Sequence, residues 1–325
     1  MKNVLITGIT GQDGIFLVKE LLESQPELNI LGITRSKPNQ EFYRKLKTIY
    51  KGSIKNIKLE KTNLLDINEV ENIFRIYKPQ KIFNLAGPSS VYNSILNPKE
   101  TYYEITKIFN NLTEIMIKEE CFYPFFQASS SEMFSNANNQ NLDEKSNFGP
   151  RSPYSEAKLE NHQKTIEYWK TYNWKIYSGI MFNHESEFRG EDYLFMKIIN
   201  SARLIKLKKL KKLTVGSLDY QRDWLFAGDA VKAITKIMNN GKDYNYVIGS
   251  GEANSIHDLI EIVFEYFDLK WEKYINVDPS LLRKNDPKII CSNPKKLMSE
   301  LNWKNEYSFE KLVHRCITKN NSNLD

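Results

Sequence analysis

Lys2-Asn3-Val4-Leu5-Ile6-Thr7 runs straight into Gly8-Ile9-Thr10-Gly11-Gln12-Asp13-Gly14, after which Ile15, Leu17, Val18, Leu21 and Leu22 recur at helical spacing. Few junctions restrict a fold so tightly. A buried-type strand, a G-x-x-G-x-x-G turn and a helix N-terminus leave backbone amides free and aligned, which makes a cradle for an anion. The glycines let the chain turn sharply and approach a pyrophosphate. Gly8, Thr10, Gly11, Gln12, Asp13 and Gly14 are therefore assigned to a dinucleotide.

The alternation continues along the first half. Asn29–Thr34 reads as a second strand ending at Arg35-Ser36-Lys37. A site selective for NAD carries an acid about 20 residues beyond the glycines, on the ribose 2′-hydroxyl. Here Arg35 stands 21 positions after Gly14 instead. A guanidinium beside a hydroxyl suits a 2′-phosphate, so NADP is favoured over NAD. Ile57–Glu60 leads to Asn63-Leu64-Leu65-Asp66, a loop within reach of the adenine. A helix around 68–77 precedes the strand Lys81–Ala86 and the turn Gly87-Pro88-Ser89-Ser90, and a helix near 98–119 precedes the strand Tyr123–Ala128. This rhythm predicts an α/β fold with a Rossmann-type doubly wound parallel sheet. Ligands of such sheets gather at the carboxyl ends of the strands, where Gly87, Ser130 and Glu132 fall.

Behind Ser129-Ser130-Ser131-Glu132 comes Arg151-Ser152-Pro153-Tyr154-Ser155-Glu156-Ala157-Lys158. Tyr154 and Lys158, four apart, share one helix face. An ammonium beside a phenol stabilises the phenolate, so the spacing predicts a Tyr154 pKa lowered from about 10 toward neutrality. Such a tyrosine can take a proton from an alcohol while its hydride leaves. The motif alone is common in a chain with 18 tyrosines. Its meaning comes from the nicotinamide site upstream.

The second half reads as a substrate site. After a helix at 155–172 and the strand Lys175–Met181, the polar run Phe182–Gly190 follows a buried strand, where pockets are commonly lined. A turn at 216–219 leads to Gln221-Arg222-Asp223-Trp224, a helix starts at Gly228, and 245–251 reads as the last strand. The remainder reads as mostly helical, interrupted near 277–279 and 282–286. Arg222 and Arg283 are assigned to a diphosphate, because a guanidinium matches phosphate oxygens bidentately.

Composition narrows the alternatives. The 325 residues, 41% apolar and 26% charged, suit one large α/β domain or two units sharing a core. Cys121, Cys291 and Cys316, and the four scattered histidines, have no metal or disulfide-framework spacing, which suits a reducing compartment. No metal site is expected. No apolar run approaches the ~20 residues that span a bilayer, and no signal peptide opens the chain. A soluble cytoplasmic protein without a membrane partner is expected. The net charge of +6 owes five units to lysines in segment 204–213, leaving +1 elsewhere. That segment reads as a solvated helix face beside an anionic pocket, rather than as a surface for RNA or membranes.

These residues carry a family likeness. The chain resembles the extended short-chain dehydrogenase/reductase superfamily, and within it the GDP-mannose 4,6-dehydratases. The matching blocks are Ile6–Gly14, Tyr123–Phe134, Pro150–Lys158, Phe182–Ser186, Arg189-Gly190, Gly216–Trp224 and Asn302-Trp303. The resemblance implies that Ser130 (in place of a Thr), Glu132, Tyr154 and Lys158 are catalytic. It adds Leu64, Leu85, Ala86 and His184 to the cofactor residues Arg35, Asn63, Gly87, Tyr154 and Lys158. For the substrate it implies Ser89, Ser130, Glu132, Asn183, Arg189, Lys197, Arg222, Arg283 and Asp286. It implies dehydration of GDP-mannose or GDP-manno-heptose to a 4-keto-6-deoxy product with internal hydride return; the alternative is an epimerase or 4-keto reductase. A homodimer or homotetramer is implied, with 35–43 as a contact. The division would be an NADP-binding domain at 1–183 with a returning segment 214–249, and a smaller, mostly helical nucleotide-sugar domain at 184–213 and 250–325.

The departures cluster around sugar and nucleotide. Asn63 replaces an Asp, Phe134-Ser135 a Tyr-Gly, and Gly87–Ser90 an Ala-Gln-Ser-His type of turn. Glu187-Phe188 replaces Pro-Arg, and Lys284-Asn285-Asp286 replaces Pro-Thr-Glu.

Overall fold

The computed structural model describes residues 2–36, 40–134, 141–282 and 286–321. The first half alternates strand and helix: β1 (Asn3–Thr7), α1 (Gln12–Ser24), β2 (Asn29–Thr34), α2 (Gln40–Ile49), β3 (Ile57–Lys61), α3 (Ile67–Tyr77) and β4 (Lys81–Asn84). It continues through α4 (Val91–Leu96), α5 (Pro98–Lys118), β5 (Phe125–Ser130), α6 (Pro153–Tyr172) and β6 (Ile176–Met181). Then come β7 (Asn183–Glu185), α7 (Leu194–Lys206), β8 (Leu213–Val215), β9 (Gln221–Phe226), α8 (Ala227–Asn240) and β10 (Asn245–Ile248). The chain finishes with β11 (Ala253–Ser255), α9 (Ile256–Tyr266), β12 (Ile275–Val277), β13 (Ile289–Ile290), α10 (Lys295–Leu301) and α11 (Phe309–Asn321).

Seven strands form one parallel sheet in the order β10-β6-β5-β4-β1-β2-β3. The order in which the chain adds strands reverses between β1 and β4, the switch point where such sheets open a crevice. The strands are apolar on both faces because helices cover both. Val4, Ile6, Ile30, Phe83, Phe126 and Tyr177 enter one core layer, and their neighbours Leu5, Leu31, Ile82, Phe125 and Ile176 enter the other. The period of two sorts the sequence between layers.

Beyond the sheet, β9 is flanked by β11 and β13 and also pairs β7, while β8 pairs β12. Apart from the six-residue β9, these two- and three-residue strands lie where the sequence reads as helix or loop. They are too short for any periodicity to show. One continuous core runs from β1 and α1 through α7 and α8 into α9 and α11. The strand read at 245–251 stops at Ile248, and the following Gly249-Ser250-Gly251 turn is tied to Asp223 instead. Ser250 N and Oγ donate to Asp223 at 2.7 Å each, and Ser292 N donates at 3.1 Å.

The lysine-rich segment does not form the solvated helix face its sequence suggests. α7 stops at Lys206, and Lys208 adopts φ +59°. Lys208 N donates to Ile205 O (2.9 Å) and Lys209 N to Leu204 O (2.8 Å), the double closure of a Schellman motif. All five lysines are exposed on the resulting turn. Among the described residues, no helix is long and apolar enough to cross a membrane.

The start of α1 depends on Gly14. A Cβ there would sit 2.3 Å from the Ile9 carbonyl oxygen, a backbone atom that cannot swing aside. Gly14→Ala should therefore cost about 1–3 kcal/mol and lower Tm by several degrees in thermal unfolding; an unchanged Tm would show that the turn relaxes freely.

Candidate active site

The cleft opens at the carboxyl ends of β1, β2 and β4 and holds about 380 Å³. Gly8, Thr10, Gly11, Gln12, Asp13, Gly14, Arg35, Asn63, Leu64, Leu85, Ala86 and Gly87 line it, with Ser89 and Arg189 at its edge. Gly8 adopts φ +69°, and a Cβ there would lie 2.9 Å from the Leu85 carbonyl group, so the turn rides directly on the end of β4. A bare backbone at that crossing, followed by the N-terminus of α1, fits the pyrophosphate of a dinucleotide. Arg35 extends into solvent, 81% exposed, with Nη1 3.5 Å from Glu104 Oε2. Asn63 forms a local turn, its Oδ1 accepting from Leu65 N at 3.1 Å.

Behind the cradle, the segment after β6 is bonded to the first turn of α1. Gln12 Nε2 donates to His184 O (2.8 Å) and Ser186 Oγ donates to Gln12 Oε1 (2.9 Å). His184 Nδ1 faces Phe182 O at 2.7 Å and Nε2 faces Asp13 Oδ2 at 3.0 Å. Both acceptors lack protons, so both ring nitrogens donate and the ring is an imidazolium. Burial opposes that charge, but the Asp13 carboxylate outweighs it and raises the His184 pKa from 6.5. Burial likewise opposes the Asp13 charge, and His184 outweighs it, holding the carboxyl below 3.8.

The proton-transfer group sits at the end of β5. The β4–β5 ladder stops at Asn84–Gln127, whereas β5–β6 continues to Ser130–Met181. β5 thus outruns its neighbour and carries Ser130, buried and outside the residues that line the cleft, past the end of β4. A 3₁₀ turn, Ser131–Phe134, follows, and Glu132 N donates to Ser130 Oγ at 3.2 Å. Ser152 and Ser155 form a capping box with Pro153 in the first turn, which starts α6 just before Tyr154. Tyr154 and Ser130 are hydrogen-bonded through their hydroxyls. Lys158, one turn on, places Nζ 5.7 Å from the Tyr154 ring centre and donates to Ala128 O at 2.7 Å.

The low Tyr154 pKa read from the spacing is not what these surroundings produce. Burial pushes the phenol up to about 12; Ser130 works the other way, and the Glu132 and Tyr193 charges add to the rise. Burial also pushes Lys158 down to about 8. The residue spacing gave proximity but not burial, and burial favours the uncharged form of both groups.

The substrate residues divide. Ser89 and Arg189 reach the cleft wall; Asn183 and Lys197 are exposed outside its lining. Arg222 is nearly buried, with Nη1 donating to Gln221 O and Pro287 O (2.8 and 3.0 Å) and Nη2 on Asp286 at 2.9 Å. This pair braces β9 against the segment before β13, an arrangement of structural partners rather than the open fork a diphosphate needs. Arg283 lies outside the described residues. Glu187, one of the departures, is buried and holds Arg315 of α11 in a bidentate pair at 2.6 and 3.0 Å.

Sequence reasoning missed Tyr193. Its hydroxyl meets Ser89 Oγ at 2.7 Å, and the Arg189 guanidinium lies 3.5 Å over its ring. Arg189 Nε in turn lies 3.3 Å from the buried Glu185. Tyr193 thereby bridges the β4–α4 turn to the start of α7. Gly190 was the available signal, since a Cβ there would crowd the Tyr193 ring at 3.3 Å.

Fold and site together define a dinucleotide-dependent enzyme of the extended short-chain dehydrogenase/reductase type. A model of the GDP-mannose 4,6 dehydratase family matches residues 5–316, and the chain belongs to that family of nucleotide-sugar hydro-lyases. It is 32% identical to GDP-mannose 4,6 dehydratase 2 of Arabidopsis thaliana over 97% of this chain and 86% of the relative. Among solved structures it is similar to the dTDP-glucose 4,6-dehydratase of Bacillus anthracis in complex with NAD, with TM-score 0.85, 20% identity, and 100% and 98% of the two chains covered. It is also similar to RMD from Pseudomonas aeruginosa complexed with NADPH, with TM-score 0.83, 18% identity and all of both chains covered.

The Asp13–His184 pair makes stability depend on pH with a definite sign. The lowered Asp13 pKa stabilises above 3.8 and is lost as pH falls through its folded value. The raised His184 pKa stabilises below 6.5 and is lost as pH rises through its folded value. The Tm advantage of the native chain over His184→Gln should be largest near pH 6 and shrink by about pH 8. A difference constant across that range would mean the pair is not charged.

Proposed function

We propose that the chain is an NADP-dependent 4,6-dehydratase of GDP-mannose or GDP-manno-heptose, working through Tyr154, Ser130 and Glu132 with hydride returned internally. The observation that carries this reading is Glu132, a carboxylate in the turn directly after the hydroxyl that bonds Tyr154. Epimerases and reductases need the Tyr and Lys but have no work for a carboxylate there. The family match and the Arabidopsis relative's name support GDP-mannose. Supporting the longer sugar, Glu187 is turned away into its bond with Arg315.

Tyr154 takes the proton of the C4 hydroxyl, whose oxygen Ser130 holds by hydrogen bond. The resulting ketone acidifies C5–H, and Glu132 removes that proton as general base. Glu132 then delivers it to the departing C6 hydroxyl as water leaves; when C6 is reduced, C5 regains a proton at the expense of the one Tyr154 took, so carboxylate and phenol both end as they began. Gly8–Gly14, Leu64, Leu85, Ala86 and Gly87 would hold the cofactor, with Arg35 on its 2′-phosphate. A bound nicotinamide would supply the hydride acceptor for C4 and a positive charge beside the buried phenol while oxidised, and the hydride donor for C6 once reduced.

The reading includes a homodimer or homotetramer, supported by Tyr92, Ile95, Leu96 and Tyr103, large side chains 52–65% exposed on α4 and α5. Of the contact read at 35–43, residues 37–39 lie outside the described residues. Free Cys121, Cys291 and Cys316 support a cytoplasmic setting. The division into 1–183 with 214–249, and 184–213 with 250–325, is part of the same proposal.

Glu132→Gln should lower turnover by about 10²–10⁴-fold while NADP binding, followed by fluorescence titration, is retained. Full activity in that variant would remove the general-base role. Arg35→Ala should weaken NADP by at least about tenfold, the loss of one charge-assisted contact, and leave NAD within about twofold. Equal effects on both cofactors would count against NADP selectivity.

A further inference from the structure

Buried beneath the cleft is a row of side chains that the mechanism above does not use. Thr7, Asn84 and Gln127, each no more than 1% exposed, lie side by side at the ends of β1 and β4 and in the middle of β5. Ala86 N donates to Thr7 Oγ1 (3.1 Å), and Thr7 Oγ1 donates to Asn84 Oδ1 (2.6 Å). Asn84 Nδ2 donates to Gln127 Oε1 (2.7 Å), and Gln127 Nε2 donates to Ala128 O (2.9 Å). Ala128 O is also the acceptor of Lys158 Nζ. Ala86 lines the cofactor cleft. The row therefore joins the cofactor wall to the Lys158 anchor.

Its direction is forced. A backbone carbonyl only accepts, so Gln127 must turn its amino group to Ala128 and its oxygen to Asn84. Asn84 must then offer its amino group to Gln127 and its oxygen to Thr7. Flipping either amide would set two oxygens against each other in a buried setting. All the donors point one way, and aligned hydrogen bonds in a low dielectric strengthen one another.

We infer that Gln127 is a positioning residue for Lys158, the last link of a one-way hydrogen-bond chain that fixes the Ala128 carbonyl and thereby sets the Lys158 ammonium beside Tyr154. This rests on the reading that Tyr154 transfers the C4 proton. Without Gln127, Asn84 loses its acceptor and the Ala128 carbonyl loses one of two donors. Lys158 is then less firmly held beside the ring. Its ammonium supports the phenolate less well, so the pH at which Tyr154 can act rises. Glu132 on the 3₁₀ turn, Arg189 on the loop before α7 and Tyr193 at its start also face Tyr154, and none of them is touched by this change.

The test is the pH profile of kcat for Gln127→Met, which keeps length and volume but neither donates nor accepts as an amide does. The acid limb should move up by about one pH unit, so that kcat on that limb falls about tenfold. It should recover to within about twofold of the native value on the alkaline plateau, with KM for the nucleotide sugar within about twofold. A limb that does not move overturns the inference, even if kcat falls uniformly, because uniform loss is what a purely structural role produces. Should Gln127→Met fail to fold, Thr7→Val, isosteric and one link further back, must move the limb in the same direction by a smaller amount, and an unmoved limb there overturns it instead. Tyr154→Phe separates the two readings: native activity in that variant would remove Tyr154 from the proton transfer, whatever Gln127 does.

Discussion

The site depends on one joint, where residues 182–186 meet the first turn of α1. Within those few residues, His184 is clamped between Phe182 O and Asp13, Gln12 is held by His184 O and Ser186, and β7 joins β9 of the second sheet. Immediately after it, Glu187 grips Arg315 on α11. The segment therefore fixes the phosphate cradle to the elements that would carry the sugar. Its buried charges are paired, and that is the condition for burying them at all.

What the cleft can do follows from strand lengths as much as from residue types. Because β5 extends past β4, Ser130 and the Glu132 turn stand clear of the sheet beside α6. A hydroxyl and a phenol are then hydrogen-bonded, with a carboxylate on the turn that follows. Burial leaves Tyr154 and Lys158 both biased toward their uncharged forms. On the proposed reading, a positive charge bound above the phenol would add to that of Lys158 in favouring the phenolate.

The parallel sheet was legible because Val4–Ile6, Leu31–Ile33 and Phe125–Phe126 are apolar on both faces and separated by helix-period segments. Tyr154 and Lys158 were legible as an i, i+4 pair, and Gly8–Gly14 as a turn that tolerates no side chains. Their electrostatics were not, since spacing says nothing of burial. β11, β12 and β13 are too short to announce themselves. Arg222 looked like a phosphate ligand because its type fits, but Asp286 and the Pro287 carbonyl claim it, and these partners lie 64 and 65 residues away. The lysine run at 204–213 resembled a helix until the αL turn at Lys208 closed it. Tyr193 and the Thr7–Asn84–Gln127 row are tertiary features that no local pattern contains.

The central claim, an elimination enclosed within one hydride cycle, is tested most directly by the fate of a label. With a nucleotide sugar deuterated at C4 and catalytic NADP, the account predicts a 4-keto-6-deoxy product carrying the deuterium at C6, with no net change in the cofactor. Deuterium accumulating in reduced cofactor, or retained at C4 of a product that has lost no water, would contradict it.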